Sequence, residues 1–326
     1  MTCTTCRSGR VAAPMTLLAL SLLAGAASAQ STVNISGFLD LGLFRDTTGK
    51  TQVGTIQRSN LAFTGSEDLG GGTSVFFKLS TRFEMDTGAT ENGNRPFWHD
   101  ESTLGIKGAL GSLKFGRALD ATYSNDWNFD PWYYFDRIAS PAWDLWHYNY
   151  PSDPKANGGS SEYGRIDNGI YYTSPTFSGF TVSLSGSPEK RTGDKQGSRA
   201  GTLRYAADGY GAMVSRGINS AGNTDTFVGL KGKVMDVTLM GAWNQSKAGT
   251  SVAKAVTLGA QYTVDKFTYN LGWGKVDVDG TKAETVTGAM AGYSLSKRTT
   301  VYLDLARKAF PTNDYTVYGL GLSHAF

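Results

Sequence analysis

Few residues in this 326-residue chain are spaced for covalent chemistry. His99, His147 and His324 lie far apart and lack the spacing of a metal site. A hydrolase needs a Ser, a His and an orienting partner together, and no G-x-S-x-G or phosphate-binding loop accompanies these histidines. They read as surface or interface residues, so no catalytic residue, metal ligand or cofactor site is assigned. Cys3 and Cys6 form a CxxC, but Arg7 and Arg10 follow them, then an apolar stretch to Ala27 and an Ala27-Ser28-Ala29 exit. That order is a secretory signal peptide, 1–29, which removes both cysteines from the mature chain, 30–326. The remaining chemistry is electrostatic: basic residues at alternate positions, Arg58 and then Lys78 and Arg82, and a run of aspartates inside an aromatic segment.

The basic residues sit on period-2 patterns. In Val75 to Met85 the odd positions are mostly apolar, while Lys78, Ser80, Arg82 and Glu84 share the other face. From Lys266 to Gly274, Phe267, Tyr269, Leu271 and Trp273 share one face. Sixteen such segments run from 33 to 326, the second at 55–65 and the eleventh at 234–245. Between them long links alternate with tight turns, which include Gly108 to Gly111, Asp208, Gly232-Lys233 and Asp265. The 41 glycines suit turns and argue against a helical protein. Aromatics at 12% argue against disorder, and a net charge of +3 without long charge runs argues against a nucleic-acid partner.

An up-and-down sheet of this length must close or hide its edges, and in hydrocarbon closure is compulsory. One face is apolar with aromatics near its ends (Phe83, Tyr262, Phe267, Tyr269, Trp273); the other is polar and glycine-rich. The pattern predicts an all-β, 16-stranded antiparallel transmembrane β-barrel around an aqueous lumen, rather than a soluble secreted sandwich or solenoid. An even strand number puts both chain ends at the short-turn rim.

Four motifs then resemble one family. Gly65-Ser66-Glu67-Asp68-Leu69-Gly70-Gly71-Gly72 resembles the first periplasmic turn of the trimeric general porins of Gram-negative bacteria, most closely the β-proteobacterial branch. Phe115-Gly116-Arg117 resembles the entry to that family's third loop, Asn168 to Phe180 its following strand and turn, and Tyr318 to Phe326 its closing strand. The resemblance covers the mature chain. It implies a long third loop folded into the lumen and a homotrimer in outer-membrane lipid and lipopolysaccharide. It also implies insertion by the barrel-assembly machinery with Phe326 as assembly signal, and passive diffusion of ions and small hydrophilic solutes.

The third loop here is Ala118 to Gly164, with eleven aromatic residues between Tyr123 and Tyr150. These rings either pack the loop to the wall or form a track for a sugar or aromatic acid. In the family, wall cations face loop acids across a constriction. Arg58, Lys78 and Arg82 fall on the inward phase of their strands, Arg165 and Arg117 resemble family constriction arginines in position, and Asp120, Asp126, Asp130, Asp136 and Asp144 are the acidic candidates. Arg117 has the parity of lipid-facing Leu113 and Phe115, so a bulge must turn it inward. Asn60 stands where the family carries an arginine, with Arg58 two residues earlier on the same face, and the acidic P-E-F-G of enterobacterial third loops is missing. Several wall cations lean toward weak anion preference. The alternative is a plugged barrel acting as adhesin or hydrolase.

Overall fold

The computed structural model describes residues 32–91, 93, 95–152 and 164–326; the signal-peptide expectation lies outside them. Seventeen strands form one antiparallel sheet: β1 Thr32–Arg45, β2 Thr51–Gly54, β3 Ser59–Gly70, β4 Thr73–Phe83, β5 Glu101–Gly108, β6 Gly111–Leu119, β7 Arg165–Thr173, β8 Phe180–Gly186, β9 Arg199–Ala207, β10 Tyr210–Ile218, β11 Thr224–Val234, β12 Val237–Ala248, β13 Ser251–Val264, β14 Phe267–Val278, β15 Thr281–Ser294, β16 Thr299–Ala309 and β17 Asp314–Ala325. The sheet closes because β17 pairs with β1 from Phe38↔Ala325 to Arg45↔Tyr318.

The extra strand is a split of the second predicted segment. Both β2 and β3 pair with β1, end to end, so the barrel has sixteen staves. Between them residues 55–58 leave the ladder. Asp40 Oδ1 captures the freed backbone by accepting from Ile56 N at 2.8 Å and Gln57 N at 2.7 Å. Ile56 is fully buried and joins Trp132, Ile138 and Tyr302. The notch points Arg58 into the interior. Elsewhere the strand positions hold to within a few residues, but one turn moves. Gly232 and Lys233 remain in the ladder opposite Leu239 and Thr238, and the chain reverses at Met235-Asp236, with Met235 at φ 55°. Glycine there is a strand residue, not the turn it resembles in sequence.

Alternation gives two surfaces. In β14, Phe267, Tyr269, Leu271 and Trp273 are exposed while Asn270 is buried; in β16, Leu303 and Leu305 are exposed while Tyr302, Asp304 and Ala306 are buried. The exposed face is the lipid face. At the short-turn rim outward rings pair: Phe180 with Tyr205 and Phe267 with Tyr293, both at 4.9 Å between centroids. Both ends of the closed sheet also meet at this rim, where Phe326 and Gly37 exchange backbone hydrogen bonds at 3.0 and 3.2 Å.

The third loop carries a short 3-10 turn, Asp126–Phe129, and a five-residue helix α1, Pro141–Leu145, capped by Ser140 Oγ. Phe129, Leu145 and Trp146 pack on the inward residues Met213, Phe227, Ala255, Val276 and Val286. Missing side chains on the wall make this approach possible. A Cβ at Gly272 would meet Trp132 at 2.7 Å, one at Gly259 would meet Pro131 at 2.6 Å, and one at Gly288 would overlap the Ala139 carbonyl. Gln261 and Asn270 then donate to the Pro131 carbonyl at 3.0 and 2.9 Å.

Candidate functional site

A cavity of about 640 Å³ lies between the third loop and the wall. Arg58, Lys78, Arg82 and Arg165 line it. Each is held by an acid. Arg82 Nε lies 2.8 Å from Asp100 Oδ1, Arg165 binds the same carboxylate, and Ser80 Oγ donates to Asp100 Oδ2 at 2.6 Å. Lys78 and Lys114 share Glu101 at 3.0 and 2.6 Å. Glu91 is buried among three guanidinium groups: Arg137 at 3.0 Å, Arg82 at 3.6 Å and Arg58 at 3.7 Å. Arg58 also lies 4.5 Å from the centre of the Trp143 ring, a cation–π contact that ties the wall notch to the loop.

The electrostatics follow from these neighbours. Burial pushes the Glu91 carboxyl up, but Arg58, Arg82 and Arg137 outweigh it and hold the group at about 2. Burial likewise opposes charge on Asp100, and Arg82 and Arg165 nonetheless hold it well below the usual carboxylate range. Both acids stay ionised at neutral pH.

The acidic side is therefore not the one read from the sequence. Asp120, Asp126, Asp130, Asp136 and Asp144 do not line the cavity. An irregular segment inside a barrel must find acceptors for its own backbone N–H groups, and aspartates supply them. Asp120 accepts from Thr122 N and Tyr123 N, Asp136 from Ile138 N and Ala139 N, and Asp130 from Trp132 N, Tyr134 N and Ser140 Oγ. Burial raises Asp130 to about 7 and Asp120 to about 6 against those donors. Asp144 pairs with Lys308 at 2.6 Å. The acids that face the four cavity-lining cations are Asp100, Glu101 and Glu91. Glu101 was within reach of the sequence, since it has the parity opposite to outward Leu104 and Ile106. Glu91 and Arg137 lie in loops without periodicity.

Arg117 is also placed apart from the cavity lining. A register shift does occur between Gly116 and Ala118, but the guanidinium ends on the His99 carbonyl and on Asp167, both at 2.6 Å. His147, read from the sequence as a surface or interface residue, is fully buried between loop and wall. Its Nδ1 lies 2.9 Å from Asp225 Oδ1 and its Nε2 3.0 Å from Asp126 Oδ2. Burial opposes its charge, yet Asp225 and Asp126 raise it to about 10, so an imidazolium bridges loop and wall at neutral pH. With both nitrogens on carboxylates, neither is left to activate a hydroxyl nucleophile.

Comparison with known proteins agrees with this architecture. A family profile described as Gram-negative porin matches residues 16–313. The chain belongs to the Gram-negative porin family. Among this porin's relatives, the major outer membrane protein P.IB of Neisseria lactamica is 24% identical over 95% of this chain and 99% of the relative. Outer membrane porin protein 32 of Delftia acidovorans is 29% identical over 52% of this chain and 48% of the relative. Among solved structures, an anion-selective porin from Comamonas acidovorans superposes with a TM-score of 0.77 at 22% identity, over 91% of this chain and 100% of the other. OmpF of Salmonella typhi, in complex with daunomycin, gives 0.70 at 15% identity over 90% and 97%. The porin is thus an outer-membrane β-barrel channel, and the charged cavity is part of its lumen.

Proposed function

We propose that this porin passes ions and small hydrophilic solutes by passive diffusion through a lumen narrowed by the third loop, with a weak preference for anions. One observation carries the preference: four cationic side chains line the cavity against two lining carboxylates, Asp100 and Glu101, and remain in excess when the buried Glu91 behind Arg58 and Arg82 is included. A pore selects by diameter and by lining charge, so this imbalance favours anions. The anion-selective Comamonas porin with the same fold supports the reading. Purified protein in a planar bilayer under a KCl gradient is expected to give a reversal potential on the anion side. Arg82→Glu should move it toward cations; an unmoved potential places Arg82 outside the selective region. Liposomes containing the protein should swell in a small sugar, which a plugged adhesin or hydrolase barrel would not admit. As in the resembled family, the working unit is a homotrimer in lipid and lipopolysaccharide, delivered by the assembly machinery through Phe326. Cross-linking of detergent-folded protein tests the trimer, and deletion of Phe326 tests the assembly signal through the amount of folded barrel recovered from outer membranes.

A further inference from the structure

An aqueous channel that only conducts ions gains nothing from presenting rings to its water. Yet Tyr133 is 46% exposed and Phe135 38% exposed, and both line the cavity beside Trp127. Their presentation comes from strained backbone. Tyr133 and Tyr134 are consecutive residues with φ of 55° and 61°, a left-handed conformation that bulky side chains rarely adopt and that costs of order 1–3 kcal/mol each. Tyr133 N donates to the Asp130 carbonyl at 2.9 Å, and Asp130 Oδ2 accepts from Tyr134 N at 2.9 Å, so the buried carboxylate holds the turn in place. The turn brings Tyr133, Tyr134 and Phe135 to the cavity together: Tyr134 is braced by stacking on Trp146 at 5.7 Å, while the rings of Tyr133 and Phe135 are the exposed ones.

Cations share the cavity with these rings. Arg82 and Arg165 line the same space, and Lys78, with 40% of its side chain exposed, is the most accessible of the lining cations. The volume lies within the range of small-molecule sites, which run to about 300–1,000 Å³. Exposed rings and an excess of cations in one cavity match a solute with a flat apolar body and an anionic head. An inorganic anion has no use for the rings, a neutral sugar none for the cations, and an aromatic cation is opposed by the charge.

We propose that this cavity is a binding site for aromatic monocarboxylates, with Tyr133, Phe135 and Trp127 taking the ring and Lys78 the carboxylate. The site rests on the channel reading, because the solute must enter the lumen to reach it. Saturable binding at this point lets the channel favour such solutes when they are dilute.

Two measurements test it. In planar bilayers of the full-length protein, benzoate should interrupt chloride current in a concentration-dependent way. It should act at about tenfold lower concentration than cyclohexanecarboxylate, which has the charge without the π-face. The double variant Tyr133→Ala/Phe135→Ala should raise the benzoate concentration needed by a similar factor, while Lys78→Gln should weaken benzoate and cyclohexanecarboxylate alike. In detergent-folded protein, benzoate should quench tryptophan fluorescence saturably, which reads the site even where conductance fails. Chloride steps with equal interruption by both acids overturn the aromatic site and leave the channel intact. Interruption by maltose but not benzoate makes the rings a sugar surface and overturns it as well. Absence of chloride steps defeats the channel reading, and linear, unsaturable quenching defeats the site independently.

Discussion

Glu91 shows how much one buried carboxylate organises. It is 1% exposed and faces Arg58, Arg82 and Arg137. Removing one partner of a buried charge set leaves the others uncompensated, at a cost of about 3–5 kcal/mol. Glu91→Gln is therefore expected to lower the unfolding temperature of the detergent-folded barrel and to move the reversal potential further toward anions; a wild-type melting curve would show that the three cations find water instead. The pH dependence has a definite sign. The folded-state value of about 2 lies below the ordinary 4.5, so the carboxylate's stabilisation is complete above pH 4.5 and is lost as pH falls toward 2. Melting temperatures measured between pH 5 and pH 2 should drop in the wild type and much less in Glu91→Gln. At this scale the sequence disclosed the cations and hid most of the acids. Arg58, Lys78 and Arg82 stand out because a charge alternating with lipid-facing residues has one place to go. Glu91 and Arg137 lie in two different loops, 46 residues apart with β5 and β6 between them, and no periodicity links them. The loop aspartates misled because a carboxylate that caps backbone N–H groups and one that faces solvent look the same in sequence.

The third loop is the element on which the pore depends, and two contacts hold it to the wall by different physics. The first is steric. Gly288 on β15 faces Ala139, and a Cβ there would overlap a backbone carbonyl, which cannot rotate aside. In Gly288→Ala the loop can yield only away from the wall, toward the cavity. Single-channel conductance should fall, with a stability cost of about 1–3 kcal/mol for overpacking. An unchanged conductance would mean that the loop backbone does not define the narrow section. The second contact is ionic. His147 bridges Asp126 in the loop to Asp225 in β11. Its folded-state value of about 10 lies above the ordinary 6.5, so the bridge contributes fully below pH 6.5 and fades as pH rises through 10. Loop tryptophan fluorescence should change over that interval, and His147→Gln should abolish the change and destabilise the fold at neutral pH. A pH-independent signal in the wild type would mean that the imidazole is uncharged throughout. The strands that carry these contacts were legible because each reads as alternation. Which glycines receive the loop was not, since an inward glycine beneath Pro131 and one in a turn are identical until the sheet is closed. The notch at 55–58 was hidden for a related reason: the residues continue a strand-like pattern, and only the capture of their N–H groups by Asp40 breaks it.

At the scale of the whole molecule, selectivity cannot come from net charge. The full chain carries +3, and two of its arginines lie in the stretch read as a signal peptide, so the barrel itself is close to neutral. The field that sorts ions must arise from the local excess of Arg58, Lys78, Arg82 and Arg165 over Asp100, Glu101 and Glu91. Such a field acts across water, and salt limits its reach. The screening length is about 10 Å at 0.1 M and about 3 Å at 1 M. At the lower concentration the cation row is felt across a narrowed lumen; at the higher one ions away from the wall pass unaffected. The anion-to-cation permeability ratio of the wild type, read from reversal potentials at a fixed tenfold gradient, should therefore approach one as mean ionic strength rises from 0.1 M to 1 M. Arg82→Glu should start on the cation side and converge on the same limit. A ratio that stays constant over this range would assign selectivity to pore diameter or to ions bound in direct contact with the side chains, and the long-range field of the wall cations would then play no part.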